Sequence, residues 1–460
     1  MQAADTVLNS MKRFYGGEQM KPLFFAKSNA LRVIKERGGV MSRPYEMQEI
    51  VKTSEYGIRG SVGLTDSSGN LAARNTTRLD SRFLLKAKEV WFSLDEPGNL
   101  ILGRQPRLLA NHIVKDVKNL GRAVNRFMNR MLWGDGTGKL ADVLVGQSNH
   151  ATTGWFYVGV SDCGAFPQGS KVDIYNAAGT RVCEGGTIRG SDIRTGPGYI
   201  VVEKTGMTGV NAGGAVYVQN ACGATTSDRE YNFYGIPHYI SQSGWLLSAA
   251  EGGFDRSDEQ YVNYRAAECD ASASTRPIYE QIEDLLAELN LSGDAGSEMY
   301  MVKTTAGAQW ARKFFSWIWT SPRVKPAISR SLRQGNQNFN QAQIVDLGFV
   351  VDTGMGAPIV EDNDCPQTVD GSLEQGTVTV KGTATVMNAR NWEMYEDEPT
   401  WAGGDAGAGL FKRISGSSMY EAAGLFETQA WDADPASEGK VTNIDVSSVP
   451  RARSRVGTQS

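Results

Sequence analysis

Gly134-Asp135-Gly136-Thr137-Gly138-Lys139 has the composition of a loop that could cradle phosphate, with backbone N–H groups around an anion and a lysine to meet it. The spacing fails. G-x-x-x-x-G-K needs glycine at 133, which is Trp133, and Lys139 is followed by Leu140 rather than Ser or Thr. Asp362-Asn363-Asp364 offers two carboxylates to a hard cation, but a calcium loop counted from Asp362 would need Gly at its sixth position and Glu at its twelfth, which are Gln367 and Leu373. No G-x-S-x-G or H-E-x-x-H occurs. The three histidines (His112, His150, His238) are too few and scattered to suggest a ligand set, and the five cysteines (Cys163, Cys183, Cys222, Cys269, Cys365) include no C-x-x-C pair. An odd, unpaired cysteine count fits folding in a reducing compartment without a disulfide framework. No catalytic constellation, cofactor or metal is expected.

What the sequence does encode is extended architecture. The longest helical pattern runs over 108–132, where Leu109, Ile113, Val117, Leu120, Val124, Phe127 and Met131 recur at spacings of three and four. At 1.5 Å per residue this helix is about 37 Å long. Lys115, Lys118, Arg122, Arg126 and Arg130 fall on the opposite side within an arc of about 120°. Such a stripe is either a solvated face or a surface for an acidic partner. The glycine-rich 134–139 segment reads as the turn that leaves this helix.

Residues 54–97 read as two extended arms, 57–64 and 78–94, around a polar tip at Asp66-Ser67-Ser68-Gly69-Asn70. Arg59, Arg74, Arg78 and Arg82 stud the arms, and no large apolar cluster accompanies them before Phe83. A lone ribbon of this kind is marginal in water. It is expected to find its cover on another subunit. Residues 1–53 form a basic arm with nine Lys or Arg against five Asp or Glu, and 22–37 reads as a short amphipathic helix stopped by Gly38-Gly39.

Residues 151–223 are a compositional island with 15 of the 52 glycines, no leucine, and thirteen Val or Ile in short runs, the pattern of a small closed barrel. Beyond it, 277–291 is a helix with Pro277 in its first turn and an acidic outer face of Glu280, Glu283, Asp284 and Glu288. A strand is expected at 299–302, a second helix at 305–319 with Trp310, Phe314, Trp317 and Ile318 inward, and strands near 344–351, 377–386 and 441–446. The net charge of −4 argues against a free-standing nucleic-acid binder, and no apolar run approaches the ~18 residues of a membrane span.

The order of these parts, with several local phrases, resembles the major capsid proteins of tailed double-stranded DNA bacteriophages, the Hong Kong 97-like fold. The phrases are Met131-Leu132-Trp133-Gly134-Asp135-Gly136-Thr137-Gly138 at the helix exit, Asp228-Arg229-Glu230-Tyr231-Asn232-Phe233-Tyr234-Gly235-Ile236, Ala357-Pro358-Ile359-Val360-Glu361-Asp362-Asn363-Asp364-Cys365-Pro366, and Tyr420-Glu421-Ala422 with Pro435 and Lys440-Val441-Thr442.

The resemblance implies an α+β fold of defined parts. These are an N-terminal arm (1–53), an extended β-hairpin loop (54–97) and a peripheral domain (98–152 and 386–435) with spine helix 108–132. They continue with an inserted β-barrel (153–222), an axial domain (224–385 and 436–446) and a C-terminal tail (447–460). It implies a virion shell protein assembled in a bacterial cytoplasm, with itself as partner in pentamers and hexamers of an icosahedral head.

Packaged DNA would be met non-specifically by Lys115, Lys118, Arg122, Arg126 and Arg130. Neighbouring subunits would be met through Arg59, Asp66, Asn70, Arg74, Arg78 and Arg82. A portal protein, a decoration protein and a scaffolding protein are further expected partners, and a membrane is not. Some relatives cross-link through a lysine of the extended loop. No lysine lies between Lys52 and Lys86 here, and arginine cannot supply that amine, so a non-covalent shell is expected. Only about 53 residues precede the hairpin, so the scaffold is expected to be a separate protein and the coat uncleaved.

Two other readings exist. One is an encapsulin-like compartment of the same fold holding protein cargo. The other is a carbohydrate-active protein in which Trp155, Tyr157 and Tyr175 of the barrel stack on sugars.

Overall fold

The computed structural model describes residues 29–37, 40–41, 46–52, 78–84 and 86–95, then 127–292, 297–334 and 357–446 with gaps, and 342–344 and 350–352 between the last two. Helix α1 (Asn29–Arg37) buries Leu31 and Ile34 as its amphipathic spacing requires, and packs on β20 (Trp392–Glu396).

The chain then lays down β1 (Val40–Met41), β2 (Glu46–Lys52), β3 (Arg78–Leu84) and β4 (Lys86–Asp95). Strands β2 and β3 form a two-stranded antiparallel ribbon, registered from Glu46↔Leu84 to Lys52↔Arg78. The first arm of the hairpin is therefore 46–52, earlier than the arm at 57–64 read from the sequence. That stretch and the 66–70 tip lie outside the described residues. The ribbon's second arm is β3 alone; β4 instead pairs along β23 (Met419–Asp432).

The barrel consists of β5 (Lys139–Asn149), β6 (Trp155–Val160), β7 (Lys171–Tyr175), β8 (Arg181–Ser191), β9 (Gly198–Glu203) and β10 (Ala215–Val218), closed in the order β10-β5-β6-β9-β8-β7. Closure leaves no strand edge unpaired. It starts at Lys139, because β5 supplies the wall that β10 and β6 flank; the composition boundary at 151 misses that strand. Its interior is Val158, Val160, Val172, Ile174, Ile188, Ile200 and Val202, each at most 1% exposed. Alternation along short strands aims these β-branched side chains inward. None of the five cysteines is joined in a disulfide.

The body has two sheets. One runs β1-β20-β23-β21, with β21 at Thr400–Trp401; β22 (Lys412–Arg413) and β4 also pair with β23. The other runs β11 (Ala267–Asp270), β24 (Gly439–Asp445), β19 (Thr379–Asn388), β14 (Ser316–Thr320), β17 (Ile359–Glu361), β16 (Val350–Asp352) and β15 (Ala342–Ile344), with β18 (Gln367–Asp370) beside β19. Helix α2 (Ile236–Tyr239) follows the barrel. Helix α3 (Ile278–Ser292) sets Ile282, Leu285 and Leu289 against the second sheet and is joined there by α4 (Val324–Gln334).

The helix expected over 305–319 does not form. Residues 297–304 and 307–314 are β12 and β13, a hairpin whose last pair is Thr304↔Gly307, and 316–320 is β14. Strand β14 lies between β19 and β17, and all five of its residues are buried. A strand covered on both faces is apolar without alternation, and such a run mimics a buried helix in sequence.

Candidate functional site

The helical segment at 127–132, where the expected long helix would end, organises the molecule. Residues 127–132 are helical, with Met128, Met131 and Leu132 buried, and Trp133 packs edge-on to Trp319 at 6.3 Å between ring centroids. Trp133 N–H still donates to Asn129 O, and Gly134 N–H donates to Met131 O at 2.9 Å, a tight exit. Asp135 then accepts the Thr137 backbone N–H at 3.0 Å, an Asx turn, with Gly136 at φ +86° beside the Tyr234 ring. Lys139 opens a strand and ion-pairs with Asp142 at 2.5 Å. The segment is a turn, as the spacing implies, and its lysine is committed to a carboxylate.

The chain leaves the barrel after Val218 and comes back to the same helix end at Gly235. A Cβ at Gly235 would lie 2.4 to 2.7 Å from the carbonyl oxygens of Leu132, Gly134 and Met131. Only glycine permits that approach. Both connections of the barrel therefore meet at one turn of helix.

Four acidic or amide side chains converge there on one arginine. Asn129 Nδ2 donates to Asp362 Oδ1 at 3.0 Å and to Asp364 Oδ2 at 2.7 Å. Arg130 Nη1 donates to Asp162 Oδ2 at 2.8 Å and lies 4.0 Å from Asp364 Oδ1, while Nη2 donates to Leu140 O. Asp162, in the loop after β6, also accepts the backbone N–H groups of Gly164 and Gly196. The helix, the barrel and the loop between β17 and β18 are thus tied by one polar cluster.

Its charge does not balance. Three carboxylates face a single guanidinium, and Asp362 and Asp364 are 5% and 8% exposed. Burial pushes both carboxyls up, Asp364 to about 6, against the attraction of Arg130. The negative charges of Asp362 and Asp162 add to the rise at Asp364. Among the described residues no three His, Cys, Asp or Glu side chains gather as a metal-holding group. The arrangement can hold or release a proton at Asp364 near neutral pH and transmit the change to three elements at once.

Of the basic stripe read from the sequence, Arg130 is the described member. Its side chain is 17% exposed and committed to Asp162, so it does not sit on an open cationic face. Lys115, Lys118, Arg122 and Arg126 lie outside the described residues, as do Arg59, Asp66, Asn70 and Arg74. Arg78 and Arg82 stand in β3 opposite Lys52 and Gln48. Tyr175 is fully buried, its hydroxyl donating to Cys222 O and Gly223 O, and is unavailable for stacking on a sugar. Asn129 and Asp162 were not singled out by sequence: an Asn on a helix and an Asp before a glycine carry no local signal of a partner far along the chain.

No family model matches the chain, and no curated protein matches it. Among solved structures it is similar over most of its length to an encapsulin of Synechococcus elongatus (8% identity, TM-score 0.40, covering 92% of this chain and 90% of that one). It is also similar to a chain of the satellite phage P4 procapsid (8% identity, TM-score 0.38, 93% and 90%). A third match is the capsid of Ralstonia phage GP4 (8% identity, TM-score 0.37, 90% and 88%). At these scores the likeness carries no argument by itself.

Proposed function

We propose that the chain is the major capsid subunit of a tailed-phage head, forming pentamers and hexamers of an icosahedral shell around double-stranded DNA without catalysis. The observation that carries this reading is the β2–β3 ribbon. Seven register pairs extend it over about 24 Å. Among the described residues no third strand joins it. A free two-stranded ribbon is marginally stable, so its cover is best supplied by a sister molecule.

In this reading the ribbon of 46–52 and 78–84, with the segment between them, lies over the neighbour, and Arg59, Arg74, Arg78 and Arg82 meet its acidic surface, including the α3 face with Glu283 and Glu288; β4, which the sequence reading counted in the loop, stays in its own chain's sheet beside β23. The peripheral domain is 98–138 with 389–435, the axial domain is 224–388 with 436–446, and the barrel is an insertion whose two connections are anchored at one point. Lys115, Lys118, Arg122 and Arg126 face the lumen, where contact with phosphates is sequence-independent and weakened by salt. The shell is non-covalent and draws on separate scaffolding, portal and decoration proteins.

The test is negative-stain imaging of the purified protein with and without co-expressed scaffold, beside a variant lacking Asp66–Asn70. Closed particles, empty or holding scaffold, are expected from the full chain, and soluble capsomers without closed particles from the deletion. Robust closed particles from the deletion variant would remove the ribbon from assembly. Particles formed without scaffold and filled with a host protein would mark a storage compartment instead, and a monomer under all conditions would defeat the shell reading altogether.

A further inference from the structure

The two body sheets are joined by two adjacent crossings. Strand β19 passes to β20 through 389–391, and β23 passes to β24 through 433–438. The register places Trp392 opposite Asp432 in one sheet and Val386 opposite Gly439 in the other. The crossings are bonded to each other: Asn391 Nδ2 donates to Ser437 Oγ at 2.6 Å, and Ser437 Oγ donates back to Asp434 O at 2.9 Å.

At the two ends of the second crossing sit Asp432 and Glu438, 1% and 0% exposed. Glu438 Oε1 accepts the Asn388 backbone N–H at 3.1 Å and the Trp392 indole N–H. Asp432 Oδ1 accepts the Asp434 backbone N–H at 3.1 Å. The remaining oxygens, Asp432 Oδ2 and Glu438 Oε2, are buried and receive no hydrogen from any donor. Two ionised carboxylates are acceptors only, whereas one proton converts either into a donor to the other and satisfies both oxygens.

The surroundings offer one cation and, among the described residues, no ion-pair contact. Arg256 attracts Asp432, but it is itself buried and turns its donors to the carbonyls of Tyr239, His238, Ser243 and Gly244. Asp434, in the same turn, adds negative charge. Trp392 and Tyr239 pack edge-on at 5.4 Å on the aromatic side, and Glu268, which also acts on Arg256, is held by Lys440 at 3.3 Å. Tyr264 lies within the field of Asp434. Burial and mutual repulsion push both carboxyls well above the usual carboxylate range. Asp434 and Ala436, on the outer side of the turn, line an open polar cleft of about 870 Å³ with Gln242, Ser243 and Arg265. Solvent therefore stands close to the pair, at the turn that links its two members.

We infer that Asp432 and Glu438 hold one proton between them, and that this shared proton latches the paired crossings between the two sheets, so that its loss in alkaline solution frees the 432–438 turn. Hydroxide takes the proton, no covalent bond other than O–H breaks, and two buried carboxylates are left facing each other. This inference does not depend on the shell reading, because the pair lies within one chain; an unassembled subunit carries the same latch.

The experiment is hydrogen–deuterium exchange of the full chain from pH 7 to pH 10, corrected for intrinsic exchange, read in peptides covering 388–392 and 432–438. For one linked proton, opening is expected to rise by up to about tenfold per pH unit above the titration of the pair. Glu438→Gln keeps the acceptor for Asn388 and Trp392 and supplies a permanent donor to Asp432. It is expected to hold opening within about twofold over the same range. Infrared difference spectra between wild type and Glu438→Gln, or Asp432→Asn should the first variant not fold, are expected to show a protonated-carboxyl band in the wild type at pH 7. Absence of that band, or the same pH profile in wild type and Glu438→Gln, overturns the inference.

Discussion

Replacing Asp364 by asparagine tests the charge imbalance at the helix end. The carboxyl is buried beside Asp362 and only 4.0 Å from Arg130, yet burial outweighs that attraction and raises it from 3.8 to about 6. A carboxyl raised on folding binds its proton more tightly in the native than in the unfolded chain. Its stabilising contribution is therefore complete below about pH 4 and lost as pH rises through about 6. At about 1.4 kcal/mol per pH unit, the loss amounts to about 3 kcal/mol above pH 6. An amide at this position would resemble the protonated acid: it retains an oxygen for Asn129 Nδ2 and carries no charge. Asp364→Asn is expected to be up to about 3 kcal/mol more stable than wild type at pH 7.5 and nearly equal to it at pH 4. The assay is urea unfolding of the soluble subunit followed by tryptophan fluorescence, at intervals from pH 4 to 8. A variant less stable than wild type at pH 7.5 would show that the attraction to Arg130 exceeds the burial cost, and the reasoning would fail.

Two further substitutions probe the same junction. Arg130→Met removes the donor to Asp162 and Leu140 O and is expected to cost about 1–3 kcal/mol, read as a lower urea midpoint at unchanged slope. Gly235→Ala drives a methyl group into three carbonyl oxygens and is expected to cost at least about 2 kcal/mol or to abolish soluble expression; wild-type stability in that variant would show that the helix end can give way.

How much of this was legible follows from how local each signal is. The α3 helix announces itself through Pro277 and the apolar spacing of Ile282, Leu285 and Leu289, and it appears within a residue or two of its expected bounds. The barrel is legible from glycine and β-branched residues, though its first strand is missed because 139–149 lacks the glycine density of the rest. The strand at 316–320 was hidden by its own burial: Trp317, Ile318 and Trp319 are all covered, so no period remains to separate strand from helix. The polar cluster was illegible in kind. Asn129 and Asp364 are separated by 235 positions, and nothing in either neighbourhood specifies the other.

The two acidic junctions respond to pH in the same direction but in different windows, and this orders their loosening. Asp364 gives up its proton near pH 6, so above neutrality the helix end already carries an uncompensated charge. By the latch inferred above, the Asp432–Glu438 pair keeps its shared proton into alkaline solution; burial and mutual repulsion raise both groups, and neither has an ion-pair partner among the described residues. Rising pH therefore weakens the anchorage of the barrel first and the joint between the body sheets second. The barrel enters at Lys139 and its return segment seats Gly235 on the same helix turn, so a change at Asp364 reaches it through both connections together. A closed barrel with a continuous interior moves as a unit on such an anchor, because its own strands have no open edge at which to part. In hydrogen exchange, peptides at 127–140 and 233–240 should lose protection between pH 6 and 8 while those at 432–438 keep theirs. Loss of protection at 432–438 before the helix end would reverse this order and refute the assignment of the lower window to Asp364.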